Sequence, residues 1–198
     1  MTKILDKNIM IYTDGSFIKN SSKSKYKIAG YGIVFNNCSE FIDSEICDEY
    51  EHRFEDLDIK FKFGAFLKNP ITNQRAELYA IYKALFMVNN YCSKTRYYPK
   101  TITIYSDSMY SINIYTKWYK IWIKNGWIGS NNEVKNTDII KPTLSIINKL
   151  KKCSEIKFVH IRAHTGYNDL NSKCNDIADK LANLGSSKAI DYYKQKYK

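Results

Sequence analysis

The sequence predicts a mixed α/β domain in which helices flank a single β-sheet, and three observations support this fold class. β-Rich segments alternate with segments of helical spacing. Hydrophobic residues make up 44% of the 198 residues, which is enough for a core without disulfides or a structural metal. No repeat and no linker divides the chain, so we expect one domain over residues 1–187 and a basic tail over 188–198.

The first predicted elements are strands. Residues 9–13 alternate as a strand does, and the segment Asp14–Ser16, with its central glycine, predicts a turn after it. Polar residues follow, and the apolar segment 29–35 then predicts a second strand. Residues 61–67 alternate again and predict a third strand.

The middle of the chain is predicted to be helix, strand and helix. Apolar residues at spacings of three and four predict a helix over residues 73–90. The β-rich segment 101–105 predicts a fourth strand. The segment Ser106–Ser108 after it suits the N-cap of a helix that extends to about Trp122.

The last third is predicted to contain helix, strand and helix. The helices are predicted over residues 138–151 and 176–184, with the strand over residues 156–161 between them. Gly185 predicts the end of the last helix.

The charge is strongly positive and unevenly distributed. The net charge is +11, but residues 40–58 carry nine acidic residues against one basic residue. The remainder therefore carries +19. Such a surface favours a polyanionic partner, although a lysine-rich soluble surface explains it equally well.

Other patterns exclude several classes of protein. Charged residues interrupt every apolar stretch, so we expect no membrane span and no export signal, and hence an intracellular protein. The five cysteines are widely spaced without a CxxC pair, which favours reduced thiols over a disulfide framework or a zinc site.

Four carboxylates stand in apolar or small surroundings: Asp14, Glu77, Asp107 and Asp179. Each has an ordinary structural explanation on its own, as a turn residue, a helix-dipole partner, an N-cap or a solvated helix position. If the fold brings them together, their mutual repulsion requires cations, and oxygen ligands suit Mg²⁺.

Several motifs, in order and with compatible spacing over about residues 9–185, resemble type 1 ribonuclease H. They are TDGS at 13–16, TNQRAEL at 72–78, SDSMYSIN at 106–113, the tryptophans Trp118, Trp122 and Trp127, HTG at 164–166 and NDIADKLA at 175–182. The resemblance implies a mixed five-stranded sheet flanked by helices. It also implies endonucleolytic hydrolysis of the RNA strand of RNA–DNA hybrids, leaving 5′-phosphate and 3′-hydroxyl ends.

The same resemblance assigns the reaction chemistry. Asp14, Glu77, Asp107 and Asp179 match the family's catalytic carboxylates, which bind two Mg²⁺ ions, with Mn²⁺ as a possible substitute. His164 matches the histidine of the family's mobile loop, with an expected role in proton transfer or product release. The family commonly has Gly-His there, whereas this chain has Ala163 before His164.

The resemblance also assigns substrate contacts on both strands. The positions matching contacts to the RNA strand are Asn20, Asn73, Gln74 and Met109. Those matching contacts to the DNA strand are Thr72, Tyr110, Trp118, Trp122, Ser130 and Asn136. Helix capping is an alternative role for the amides at 73 and 74, and a helix core stripe is an alternative for the two tryptophans.

The expected partner is an RNA–DNA hybrid, and we expect a monomer. The acidic insertion over residues 39–60 could repel nucleic acid, bind a protein partner or form a solvated excursion. A non-catalytic hybrid-binding module and a related-fold nuclease are the competing hypotheses, and the four carboxylates argue against the first.

Overall fold

A computed structural model describes most of the chain. The described residues are 3–18, 28–36, 59–66, 71–130, 132–162 and 169–196.

One mixed β-sheet forms the centre of the molecule. Its strands lie in the spatial order β3-β2-β1-β4-β5. β1, β2 and β3 pair antiparallel, whereas β1, β4 and β5 pair parallel. The strands are β1 (Lys3–Ile18), β2 (Ile28–Asn36), β3 (Ile59–Phe66), β4 (Tyr97–Ser106) and β5 (Glu155–His160).

Helices cover both faces of the sheet. One face carries α1, which also packs against α4, and the other carries α5, which contacts β1, β2 and β3. A single π-helical turn, Ile114–Trp118, joins α2 to α3. The helices are α1 (Asn73–Thr95), α2 (Met109–Asn113), α3 (Tyr119–Lys124), α4 (Thr137–Leu150) and α5 (Leu170–Lys196).

The alternation of side chains along β1 divides the core into two layers. Ile9 and Ile11 belong to the larger cluster, which includes α1 and α4. Tyr12 belongs to a smaller cluster with Cys174 and Ala178 of α5. Because strand side chains alternate between faces, the even-numbered residues that follow Tyr12 also face α5. The predicted α/β class, a mixed sheet flanked by helices, is confirmed.

Two predicted boundaries are wrong, and close packing at glycine explains both. β1 continues through the predicted turn, since Asp14 pairs with Gly32 and Ser16 pairs with Gly30. A side chain on Gly15 would collide with the backbone of α1 at Glu77, so this glycine permits close packing and not a turn.

The second wrong boundary is the end of the last helix at Gly185. α5 continues to Lys196, so the predicted tail over 188–198 is helical as far as that residue. Gly185 is buried inside this helix, and a side chain on Gly30 of β2 would collide with the α5 backbone at Ala182, Ser186 and Gly185.

Three further expectations concern the acidic insertion, the cysteines and membrane-spanning helices. Residues 39–58 of the acidic insertion lie outside the described residues, and its last two residues begin β3. Cys92, Cys153 and Cys174 are free thiols. In the described part of the chain, no helix combines the length and apolarity that crossing a bilayer requires.

Candidate active site

Three of the four predicted carboxylates converge at one edge of the sheet. Asp14 lies on β1, Glu77 in the first turns of α1, and Asp107 directly after β4. One oxygen of each lies within 4.8 Å of an oxygen of the other two. Asp14 and Glu77 are buried, each with 6% exposure, and Asp107 is half-buried.

Strand register and a glycine bring these three together. β1 and β4 run parallel with Tyr12 opposite Tyr105, so Asp14 and Asp107 reach the same level two residues further on. Gly15 allows the start of α1 to lie directly on β1, which brings Glu77 to the same level. The hydroxyl of Thr72 caps α1 by accepting a hydrogen bond from the Arg75 amide, 3.3 Å away.

Burial and mutual repulsion both oppose ionisation of this group. Burial, followed by the charges of Asp107 and Asp179, raises the pKa of Asp14 from 3.8 to about 7, against a backbone hydrogen bond at Gly15 that lowers it. Burial, followed by the charges of Asp14 and Asp107, raises the pKa of Glu77 well above its usual value. Three acids held this close are therefore poorly stable as carboxylates without a cation.

The donor set fits a hard divalent cation. All three side chains offer carboxylate oxygens, the ligands that Mg²⁺ prefers. Oε2 of Glu77 is buried without a hydrogen-bond partner among the described residues, so an oxygen lone pair is available. Asp14, Glu77 and Asp107 are the residues that would hold the ion.

Asp179, the fourth predicted carboxylate, lies on α5 beside Asp14. Gly30 and Gly32 of β2 have no side chains to keep α5 away, and a side chain at Gly32 would collide with the backbone of Ala178. This packing brings Asp179 beside Asp14, where its charge raises the pKa of Asp14. Asp179 is half-buried and stands outside the close trio.

Comparison with known proteins identifies this arrangement. A family model described as RNase H matches residues 6–187. The chain belongs to the ribonuclease H family. It is 32% identical to a ribonuclease H of Clostridium botulinum over 179 residues, which are 89% of this chain and 94% of that protein. Family membership makes the chain a hydrolytic ribonuclease.

Other relatives extend the match. The chain is 29% identical to Mus musculus ribonuclease H1 over 188 residues, covering 94% of this chain and 53% of that protein. LC9-RNase H1, a type 1 RNase H with the type 2 active-site motif, has the same fold with a TM-score of 0.62, 18% identity and coverage of 94% and 74%. The predicted resemblance to type 1 ribonuclease H is confirmed.

A solved viral structure has the same fold. The foamy viral protease-reverse transcriptase in complex with RNA/DNA hybrid superposes with a TM-score of 0.64 and 24% identity. The match covers 91% of this chain and 20% of that longer protein.

In this ribonuclease H family member, most residues predicted to contact the DNA strand line one cavity. The cavity measures about 510 Å³ and lies between the π-helical turn, α3 and the segment before α4. Its walls include Tyr110, Trp118, Trp122 and Ser130, and also Lys135, which sequence reasoning did not single out. Trp118 and Trp122 line this cavity and also pack, half-buried, against the core, so the core position and the cavity position coexist.

A buried arginine links this cavity to α1. Arg75, only 2% exposed, donates to both carboxylate oxygens of Asp138 at 2.7 and 2.8 Å and to Oδ1 of Asn136 at 3.2 Å. Asn136 in turn donates from Nδ2 to the Tyr110 hydroxyl, 3.2 Å away. Asn136 also has a positive φ of 63°, a conformation that asparagine tolerates better than most residues.

Arg75 therefore contacts both Thr72, through its backbone amide, and Asn136, through its guanidinium. The network was missed because Asp138 lies 63 positions from Arg75 in the sequence, and its only signal is a lone acid in the first turn of α4.

Residues predicted to contact the RNA strand lie beside the carboxylates. Asn73 and Gln74 are exposed at the start of α1, and Thr72 provides the cap, so the capping alternative for these two amides is wrong. Nδ2 of Asn73 lies 3.5 Å from Oε1 of Glu77. Met109 begins α2 and is 45% exposed. Asn20 and His164 lie outside the described residues.

Proposed function

We propose that this protein is an endoribonuclease that hydrolyses the RNA strand of RNA–DNA hybrids and leaves 5′-phosphate and 3′-hydroxyl ends. The observation that carries the proposal is the carboxylate trio of Asp14, Glu77 and Asp107. Three acids this close together, with the pKa of Asp14 raised, would repel a phosphate backbone unless cations lay between them. Membership of the ribonuclease H family supports the same activity.

We propose Mg²⁺ as the cofactor, with two ions bound during turnover and Mn²⁺ as a substitute. Two such ions supply an activated water and stabilise the leaving oxygen of an in-line displacement at phosphorus. Asp14 belongs to the trio and lies beside Asp179, so it is the residue that would help to hold both ions. Asp179 would complete the second site from α5.

The reaction needs few further groups from the protein. Water adds to phosphorus and the 3′-oxygen of the preceding ribose leaves, so one proton must be removed from water and one delivered to the leaving oxygen. We propose that His164 transfers a proton or assists product release. The carboxylates themselves hold the ions and therefore serve poorly as acids during the reaction.

Hybrid recognition is proposed to use two surfaces. Asn73 and Gln74 can both donate to and accept from a ribose 2′-hydroxyl, so exposed amides beside the carboxylates suit the RNA strand. The aromatic cavity of Tyr110, Trp118 and Trp122 suits the deoxyribose strand, since ring faces exclude an added hydroxyl. Arg75 holds Asn136 in place between the two surfaces.

Substrate and metal specificity test the proposal together. Matched 18-base-pair RNA–DNA, RNA–RNA and DNA–DNA duplexes, labelled on either strand, are incubated with Mg²⁺ or with EDTA. The proposal predicts cleavage of the RNA strand of the hybrid alone, only with the metal, and 5′-phosphate ends by phosphatase sensitivity. Equal cleavage of RNA–RNA duplex, or cleavage in EDTA, would contradict it.

A further inference from the structure

The position of Asp179 poses a physical problem. It is half-buried and lies beside the buried acid Asp14, whose pKa its charge raises. Like charges this close repel, so without a restraint the Asp179 carboxylate would turn toward water. A carboxylate that must first turn back from solvent binds an ion more weakly than one already held at the site.

A hydrogen-bonded chain of two side chains supplies the restraint. Nδ2 of Asn183, one helical turn further along α5, donates to Oδ1 of Asp179 at 2.9 Å. The Ser16 hydroxyl on β1 donates to Oδ1 of Asn183 at 2.6 Å. The chain therefore runs from β1, through α5, to the fourth carboxylate.

The chemistry of the groups fixes the direction of this chain. An ionised carboxylate only accepts hydrogen bonds, so the amide of Asn183 must present its NH₂ group to Asp179. Its oxygen then faces Ser16, whose hydroxyl can donate. Only one oxygen of Asp179 is engaged by Asn183, which leaves the other for Asp14 or for an ion.

β1 also aligns the chain with the carboxylates. Asp14 and Ser16 are two residues apart on β1, so both side chains face α5. The Ser16 hydroxyl also lies 3.2 Å from that of Ser186, which contacts the carbonyl of Asn183 at 3.0 Å. Toward the other end of α5, the Tyr12 hydroxyl donates to Asn171 at 2.7 Å. Hydrogen bonds from Tyr12 and Ser16 therefore flank Asp14 on its own strand.

We propose that Asn183, oriented by Ser16, is a positioning residue that holds the Asp179 carboxylate at the metal site and so sets the affinity of the ribonuclease for its divalent ions. This inference rests on the proposed function, because it assigns Asp179 to the metal site. Partners that orient metal ligands in this way typically change metal affinity by about 10-fold or more when they are removed.

The test measures metal binding by the intact protein without substrate. Mn²⁺ is titrated calorimetrically into the wild type, Asn183→Ala, Ser16→Ala and the double variant. Asn148→Ala is the matched control, since it removes an exposed asparagine from the outer face of α4. We expect Asn183→Ala to weaken Mn²⁺ binding by about 10-fold, Ser16→Ala to weaken it less, and the control to match the wild type.

The double variant tests the order of the chain. If Ser16 acts through Asn183, the double variant binds Mn²⁺ no more weakly than Asn183→Ala alone. The Mg²⁺ concentration for half-maximal hybrid cleavage should rise in parallel, with the rate largely recovered at saturating Mg²⁺. Unchanged Mn²⁺ affinity in Asn183→Ala, fully additive effects, or an equal loss in Asn148→Ala would overturn the inference.

The outcome separates this inference from the proposed function. If the wild type binds Mn²⁺ but cleaves no hybrid, the proposed function fails, and the calorimetric comparison still shows whether Asn183 acts on the metal site. If hybrid cleavage is normal and Asn183→Ala leaves Mn²⁺ binding unchanged, only the inference fails.

Discussion

Replacing Asp14 with asparagine is expected to stabilise the metal-free protein at neutral pH while abolishing its activity. Asp14 is buried beside Glu77, Asp107 and Asp179, and this environment raises its pKa from 3.8 to about 7. In the unfolded chain the same carboxyl group is solvated and retains its ordinary pKa. The folded protein therefore binds a proton that the unfolded chain has already lost, and ionisation favours unfolding.

The pKa difference gives both the sign and the size of the effect. Because the folded pKa is the higher of the two, the stability associated with Asp14 is fully present below pH 3.8 and is lost as the pH rises through about 7. The loss amounts to about 2 kcal/mol at pH 5 and about 4 kcal/mol at pH 8. For a chain of this size, 2–4 kcal/mol corresponds to a rise in Tm of roughly 4–16 °C.

Thermal unfolding in EDTA at pH 4, 5, 6, 7 and 8 measures this effect. Asp14→Asn should unfold above the wild type at pH 8, and the difference should shrink steadily toward pH 4. Asp176→Asn, on α5, controls for the change in net charge. Mg²⁺ should stabilise the wild type far more than Asp14→Asn, because the ion neutralises the repulsion that the substitution removes. A wild type more stable than Asp14→Asn at pH 8, or a difference independent of pH, would refute the electrostatic reasoning.

Three further predictions concern substrate, proton transfer and the insertion. Trp118→Ala should raise KM for the hybrid more than it lowers kcat. Trp127→Ala, outside the DNA-strand cavity, should lose a similar amount of stability without the change in KM. A loss of stability with an unchanged KM in Trp118→Ala would assign Trp118 to the core. His164→Ala should slow turnover by roughly 10²–10⁴-fold without abolishing it, measured as kcat against pH, and wild-type kinetics at every pH would exclude a role. Replacing residues 43–58 with a short turn should preserve Mg²⁺-dependent cleavage, and loss of activity in a folded variant would show that the segment takes part.

Sequence periodicity predicted the elements well where one face of each element is buried. The helix over 73–90 and the strand over 101–105 were located because their apolar residues face the core. Glycine was misleading. Gly15 and Gly185 read as a turn and a helix end, but Gly15 lets α1 approach β1, and Gly185 lies inside α5, where that helix packs on Gly30. Local sequence cannot distinguish these uses, since the colliding backbone comes from a distant part of the chain.

The carboxylates of the candidate site could be predicted from the sequence, but the side chains that hold their surroundings in place could not. Asp14, Glu77 and Asp107 converge as the motifs implied, because the ends of β1 and β4 and the start of α1 meet at one edge. The partner Asp138 has only its place in the first turn of α4 as a signal, and Asn183 has none. Their roles depend on distances of about 3 Å between residues that lie far apart in sequence, as with Arg75 and Asp138 or Ser16 and Asn183.

Single-turnover cleavage of an RNA–DNA hybrid by the wild type and by Asp14→Asn, each with Mg²⁺ and with EDTA, tests the central claim most directly. The claim is that the carboxylate group around Asp14 holds the ions that hydrolyse the RNA strand. The predicted result is RNA-strand cleavage by the wild type with Mg²⁺ alone, with Asp14→Asn binding the hybrid normally but leaving it intact. Cleavage near the wild-type rate by a folded Asp14→Asn protein, or equal cleavage by the wild type in EDTA, would contradict the claim.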